Sequence, residues 1–232
     1  MEEAEFDKFA EEYRSMHAEN IRLSGENPEY FAEYKIADVS RLLGGEGRDG
    51  ALEILDFGAG IGGSVPYFRK YFPASRVSCL DVSRKSLDIG AARFGHQADF
   101  VPFVGGRIPF DDRHFDLVYV ACVLHHVSPA EHVPMLREMH RVLAVGGTLC
   151  VFEHNPYNPL TVRAVNSCPF DDNAVLIKAD QLTAKFKSAG FEQPVISYRL
   201  FFPRCLKFMR AMEPWMTGIP LGAQYCIHAR KA

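Results

Sequence analysis

The chain has 232 residues, 47% of them hydrophobic, enough for one sizeable core and little more. With 26 Lys and Arg against 29 Asp and Glu, the net charge is -3 and no basic stripe emerges, so nucleic acid is not an expected partner. No apolar run approaches a membrane span, the acidic start MEEAEFDKFAEEY lacks the parts of a secretion signal, and the six cysteines form no CxxC pair. A soluble, cytoplasmic protein with reduced thiols and no metal centre is expected.

Phe6, Phe9, Ala10, Tyr13 and His17 recur at helical spacing over residues 6–17. A second helix is expected from Pro28 through Leu43, with Pro28 suited to its first turn and Gly44 to its stop. From Leu52 the pattern changes to short β-branched runs alternating with amphipathic helices. LEILDF precedes SVPYFRKYF, RVSCLDV precedes RKSLDIGAARF, and DFVPFV follows; FDLVYVACV precedes PAEHVPMLREMHRVL, and TLCVFEH precedes ADQLTAKFKSAGF. This alternation predicts an α/β, doubly wound, mostly parallel sheet covered on both faces. The last two runs, PVISYRLFF and AQYCIHARK, are separated by a helical insert around 204–217 with no helix long enough for a crossover. They predict an antiparallel pair at the sheet edge. The expected division is an N-terminal helical cap over 1–45 and an α/β domain over 46–232.

The stretch ILDFGAGIGG, residues 54–63, closes the first strand. Gly58, Gly60 and Gly63 satisfy the dinucleotide pattern G-x-G-x-x-G, in which glycines let the backbone turn sharply and approach a ligand. Asp56 stands two residues ahead of them. A carboxylate there repels a diphosphate but suits a ligand carrying an ammonium and a sulfonium. Asp81, which closes the second strand, is placed to accept ribose hydroxyls in either reading.

The segments LDFGAGIGG, CLDVS, FDLVYVACVLHHV and LREMHRVLAVGGTLCVFEH, in this order and spacing, resemble the class I S-adenosylmethionine-dependent methyltransferases over roughly residues 50–195. The resemblance implies a seven-stranded sheet with its last strand antiparallel, and S-adenosylmethionine as cofactor. It places Asp56, Gly58, Ala59 and Gly60 beside the methionine part, Asp81 on the ribose, Val82 along the adenine, and Ala121 in the cofactor pocket through its backbone. Many relatives carry an acidic residue where this chain has Val104, so adenine recognition is expected to rest on backbone groups around Val104 and Gly105. Asp99 is no substitute, because five strand residues span roughly 16 Å.

Candidate groups to bind or deprotonate an acceptor are His125 and His126 after the fourth strand, with helix capping or packing as the alternative, Glu153 and His154 after the fifth, with metal or core roles as the alternative, and Asn155, with turn formation as the alternative. Only one of the two adjacent histidines is expected to face the acceptor, since consecutive helical residues point about 100° apart. Tyr13, Tyr30, Tyr34 and Lys35 are placed in the N-terminal helices to cover the cofactor and shape the acceptor pocket, or else to pack on the sheet. His17, His132 and His140 are expected as surface or packing residues, and Trp215 either lines a wall or anchors the insert. The expected activity is methyl transfer to a small-molecule O, N or C nucleophile. The competing readings are an NAD-dependent oxidoreductase and a methyltransferase-like binding protein without catalysis.

Overall fold

The computed structural model describes residues 24–44 and 50–232. The expected helix over 6–17, with Tyr13, lies outside the described residues, as does the point where the expected cap meets the α/β domain. Along the described chain run α1 (Pro28–Leu42), β1 (Glu53–Phe57), α2 (Val65–Tyr71), β2 (Arg76–Asp81), α3 (Arg84–Phe94), β3 (Asp99–Pro102) and β4 (Phe115–Ala121). After a 3-10 turn at Leu124–His126 come α4 (His132–Val142), β5 (Leu143–His154), α5 (Pro159–Asn166), α6 (Ala179–Ser188), β6 (Val195–Arg199), α7 (Glu213–Met216) and β7 (Gln224–Arg230).

The seven strands form one sheet in the order β3-β2-β1-β4-β5-β7-β6. The first five are parallel, and β7 runs antiparallel between β5 and β6. Strand alternation explains the two core layers, since successive side chains face opposite sides. Leu55, Phe57, Val118, Val120, Leu149, Val151, Tyr225 and Ile227 face one side, where Leu136 and Met139 of α4 and Leu182 and Phe186 of α6 cover them. Ile54, Leu117, Tyr119, Cys150, Phe152 and Cys226 face the other, under Ile36 and Val39 of α1 and Val65 and Phe68 of α2. Helix α1 is thus one of the helices that cover the sheet. Asn27 caps it by accepting from the Tyr30 N–H, and Pro28 opens it as expected.

The chain leaves β1 toward β2 on one side, while β4 and β5 extend the sheet on the other. The carboxyl ends of β1 and β4 therefore flank the point where strand order reverses, the crevice in which doubly wound sheets bind ligands. The closing insert is tied back to the N-terminal region: Arg210 pairs with Glu26 at 2.9 Å and Arg204 donates to the Gly25 carbonyl at 3.2 Å, while Arg199 of β6 pairs with Asp38 at 2.8 Å. Trp215 is 82% exposed, so it does not anchor the insert within the described structure.

The loop from β3 to β4, which carries Val104 and Gly105, is fastened from behind by Arg141 at the end of α4. Its guanidinium donates to the carbonyls of Ile108 and Phe110 (2.8 and 2.9 Å) and to the carboxylates of Asp112 and Glu138 (2.7 and 2.8 Å). A lysine keeps the charge but has no planar fork to hold four acceptors. Arg141→Lys is expected to lower the unfolding free energy by about 1.5–3 kcal/mol, the usual worth of hydrogen bonds to a charged group. Urea titration checks this, and an unchanged midpoint would contradict it.

Candidate active site

The loop after β1 is bound to the end of β2. The N–H groups of Gly58 and Ala59 both donate to the Leu80 carbonyl (2.7 and 3.1 Å), and that of Gly60 to Asp81 Oδ2 at 2.7 Å. Asp81 Oδ1 accepts from Ser83 N–H at 2.9 Å. Three of the loop's N–H groups are thus turned to the protein and not toward a diphosphate. Gly58 has φ +76°, and a Cβ on it would lie 2.3 Å from Val123 Cγ2, so no side chain fits. Its requirement comes from the β4 end and not from the ligand. Gly60, at φ +52°, has nothing within 4 Å of where its Cβ would be, and it alone of the pair leaves room beside the loop.

Asp56 is 2% exposed, and its Oδ2 has no hydrogen-bond partner among the described residues. Burial, and then the negative charge of Asp81, push its pKa up to about 8. A buried acceptor left without a donor is unfavourable, and an ammonium group placed against it would supply both the donor and the countercharge. Ala121 closes β4 and is half-buried, as is Val82, which packs against the core beside β2. Val104 is 72% exposed and Gly105 has φ +81° with open space around it. Asp99 begins β3, at the far end from this loop, as expected.

At the end of β4 the chain turns through Cys122, whose φ of +58° is rare for a residue with a Cβ and marks a strained position at the ligand edge. The 3-10 turn that follows delivers His125, 1% exposed, whose Nδ1 lies 2.6 Å from Glu153 Oε2. Glu153 is fully buried and also accepts from the N–H groups of Val123 and Leu124 (3.2 and 2.7 Å). Burial disfavours the imidazolium of His125, but the Glu153 and Asp171 carboxylates together outweigh it and the pKa is pushed up to about 10. His126 and His154 go the other way, down to about 4, through burial and then the charge of His125. Asp171 and Glu153 are both held below the usual carboxylate range, the charge of His125 overcoming their burial.

Both histidines point the same way, contrary to the expectation that only one would. His125 Nε2 and His126 Nε2 lie 3.6 and 3.4 Å from the same oxygen, Asp171 Oδ1. A 3-10 segment separates neighbouring residues by about 120°, so it is the side chains, whose ring centroids lie 4.2 Å apart, that converge on Asp171. The ring of His154 lies 5.2 Å from that of His125.

Tyr34 packs its ring edge-on against Phe152 and donates its hydroxyl to Gln224 Oε1. Gln224 Nε2 in turn faces Cys122 Sγ at 3.7 Å and His154 Nδ1 at 3.5 Å. Lys35 is 7% exposed, and its charge acts on both Cys122 and His154, which sets it at the same edge. Tyr30 lies farther out, between Tyr34 and the guanidinium of Arg210. Asn155 is used within the fold: its Nδ2 donates to the carbonyls of Pro220 and Gly222 and its Oδ1 accepts from Tyr157 N–H. It fixes the turn to the β6–β7 insert, and this correction removes it from the acceptor-binding set. His132 packs inside, with Nε2 at 2.9 Å from the Leu124 and Val127 carbonyls.

Asp171, Gln224 and Cys122 are site residues that the sequence pattern does not single out. Cys122 directly follows Ala121, so its position is inferable from the strand end. Asp171 arrives in a loop seventeen residues past β5, and the bond from Val175 N–H to the His125 carbonyl (2.8 Å) folds that loop over the histidines.

The sheet order, the acid ahead of the glycine loop and the acid closing β2 define the class I S-adenosylmethionine-dependent methyltransferase fold. A family described as a methyltransferase domain matches residues 54–147. The ubiquinone/menaquinone biosynthesis C-methyltransferase of Hahella chejuensis is 32% identical over 130 residues, 53% of this chain and 51% of its own. That of Ectopseudomonas mendocina is 32% identical over 124 residues, 50% and 48%. The chain spans about half the length of the curated relatives it matches. Among solved structures, a possible histamine N-methyltransferase of Thermotoga maritima superposes with TM-score 0.67 at 19% identity over 99% of both chains. A Haemonchus contortus phosphoethanolamine N-methyltransferase in complex with S-adenosylmethionine gives 0.61 at 16% identity over 87% of this chain and 56% of its own. Residues 54–147 thus match a methyltransferase-domain family, and the chain as a whole has the fold of the class I S-adenosylmethionine-dependent methyltransferases.

The strained carboxyl of Asp56 makes a prediction about the ligand-free protein. An acid whose folded pKa is raised above its unfolded value of about 4 loses native stability as pH climbs between the two. Asp56→Asn is expected to raise the melting temperature, by a margin that grows from about pH 4 to about pH 8 and is level above. Scanning calorimetry across that range checks it. A margin that does not vary with pH would contradict the raised pKa.

Proposed function

We propose that the protein transfers the methyl group of S-adenosylmethionine to an O, N or C atom of a small-molecule acceptor and releases S-adenosylhomocysteine. The single observation that carries this reading is Asp56, a buried carboxyl with an orphaned oxygen at the end of β1, beside a loop whose Gly58, Ala59 and Gly60 donors are turned to β2. In this reading Asp56 receives the ammonium group, Gly60 and Ala59 border the methionine chain, and Asp81 receives the ribose. Val82, Val104, Gly105 and Ala121 border the base. The bound cofactor supplies an electrophilic methyl on a sulfonium, and the protein's own work is to align the acceptor with it and exclude water, which can account for much of a barrier of this kind.

The acceptor lies, in this proposal, between the ends of β4 and β5 and helix α1, facing His125, His126, Glu153, His154, Tyr34 and Lys35, with Tyr30 of α1 as part of its cover. The polar character of that edge favours a small acceptor with heteroatoms. Neighbours and relatives are named for N- and C-methylation, so the fold itself does not select the atom. All six cysteines are free thiols, in keeping with a cytoplasmic protein, and no helix of the described residues is long and apolar enough to cross a membrane.

Calorimetry with S-adenosylmethionine, S-adenosylhomocysteine and NAD tests the cofactor. Both sulfur nucleosides are expected to bind and NAD is not; the reverse would overturn the reading. Asp81→Ala is expected to weaken binding by about 1.5–3 kcal/mol and Asp81→Asn by less. Methyl transfer to a metabolite panel then separates an enzyme from a binding protein that retains only the cofactor site.

A further inference from the structure

Three groups at the acceptor edge form a cluster that cofactor binding does not explain. His125 Nε2, His126 Nε2 and Asp171 Oδ1 all lie within 4.8 Å of one another, and the two nitrogens stand 3.6 and 3.4 Å from the carboxylate oxygen. An N–H···O hydrogen bond ordinarily spans about 2.7–3.2 Å. Two ligands on a tetrahedral zinc ion, each about 2.0–2.2 Å from it, stand about 3.3–3.6 Å apart. The two nitrogen–oxygen separations fit the second geometry and are longer than the first.

The surroundings match as well. A metal-bound histidine usually donates its other ring nitrogen to a carboxylate, which fixes the ring and the nitrogen that faces the ion. Glu153 does this to His125 Nδ1 at 2.6 Å, and is itself fixed by two backbone N–H groups. Asp171 is held by its own N–H on the Cys168 carbonyl (3.0 Å) and by the loop's bond to His125. Glu153 already serves His125, so an ion pair does not require a second carboxylate placed between two imidazoles. The ligand set comes from two loops and contains no cysteine, which is why cysteine spacing gives no sign of it.

We propose that His125, His126 and Asp171 bind one divalent transition-metal ion of the zinc class, His125 releasing its Nε2 proton to solvent as the ion binds and Glu153 orienting its ring. Two imidazoles and a carboxylate suit such an ion, and three protein ligands leave at least one position for another donor. Resting on the methyltransferase reading, that position takes an oxygen or nitrogen of the acceptor, so the favoured acceptors carry a hydroxyl or amine able to ligate a metal.

The test uses the full chain stripped with a chelator. Cobalt titration followed by visible absorption, and zinc titration in competition with a chromophoric chelator, are expected to show one equivalent bound. Asp171→Asn and His126→Gln should weaken zinc binding by on the order of 100-fold, and Glu153→Gln by about 10- to 100-fold, the usual effect of losing the group behind a metal-bound histidine. The cobalt spectrum of the parent needs no variant to fold, and S-adenosylhomocysteine binding by each variant reports that the fold persists. Failure to bind either metal, or zinc affinity unchanged in Asp171→Asn and His126→Gln, overturns the proposal. If S-adenosylhomocysteine binds and metals do not, the metal site fails and the methyltransferase reading stands. If metals bind and neither sulfur nucleoside does, the metal site stands and the methyltransferase reading fails.

Discussion

The site depends on one unfavourable arrangement: a carboxyl buried at the end of the first strand, with the Asp81 carboxylate as its neighbour and no donor of its own. Low dielectric magnifies both the desolvation of Asp56 and its repulsion by Asp81. The loop does not relieve this, because its N–H groups already close the gap to β2 through Leu80 and Asp81. Such strain persists only where the surrounding structure enforces it. Here the enforcement comes from the parallel register of β1 with β2 and β4, which buries Asp56 between Cys79 and Tyr119.

The same register organises the second half of the site. Because β4 and β5 end at the same edge, the turn after β4 meets the end of β5, and Glu153 receives the backbone N–H groups of Val123 and Leu124 together with the His125 ring. One carboxylate thus joins two strand ends and aims an imidazole. The antiparallel β7 then brings Gln224 against His154 and Cys122, and α1 brings Tyr34 onto Gln224. Cofactor-side and acceptor-side groups are set by strand ends, with helix α1 and the insert after β6 closing the remaining side.

Much of this is legible in the sequence where the signal is local. The alternating runs specify the strands because a buried parallel sheet needs apolar residues on both faces. Asp56 and the glycines read as a strand-end loop because the residue types and spacing occur together. Pro28, Asn27 and Gly44 mark α1 through backbone chemistry alone. What is not legible depends on contacts between distant segments. Asp171 takes its place only when the loop after α5 folds over the turn after β4. The convergence of His125 and His126 is set by Asp171, which both rings approach. Asn155 reads as a polar group at a ligand edge, yet the carbonyls of Pro220 and Gly222, more than sixty residues on, engage it.

The raised pKa of Asp56 keeps it protonated near neutral pH, and in the proposed function the ammonium group of the ligand ionises it. This is tested most directly by titrating S-adenosylhomocysteine into the protein near neutral pH in buffers of different ionisation enthalpy. An acid held at a pKa of about 8 and then ionised against an ammonium group must give up close to one proton as the ligand binds. The observed heat is expected to vary linearly with buffer ionisation enthalpy with the sign of proton release, and the slope to disappear largely in Asp56→Asn. The same heat in every buffer would show that the carboxyl is already charged before the ligand arrives, and would contradict the account.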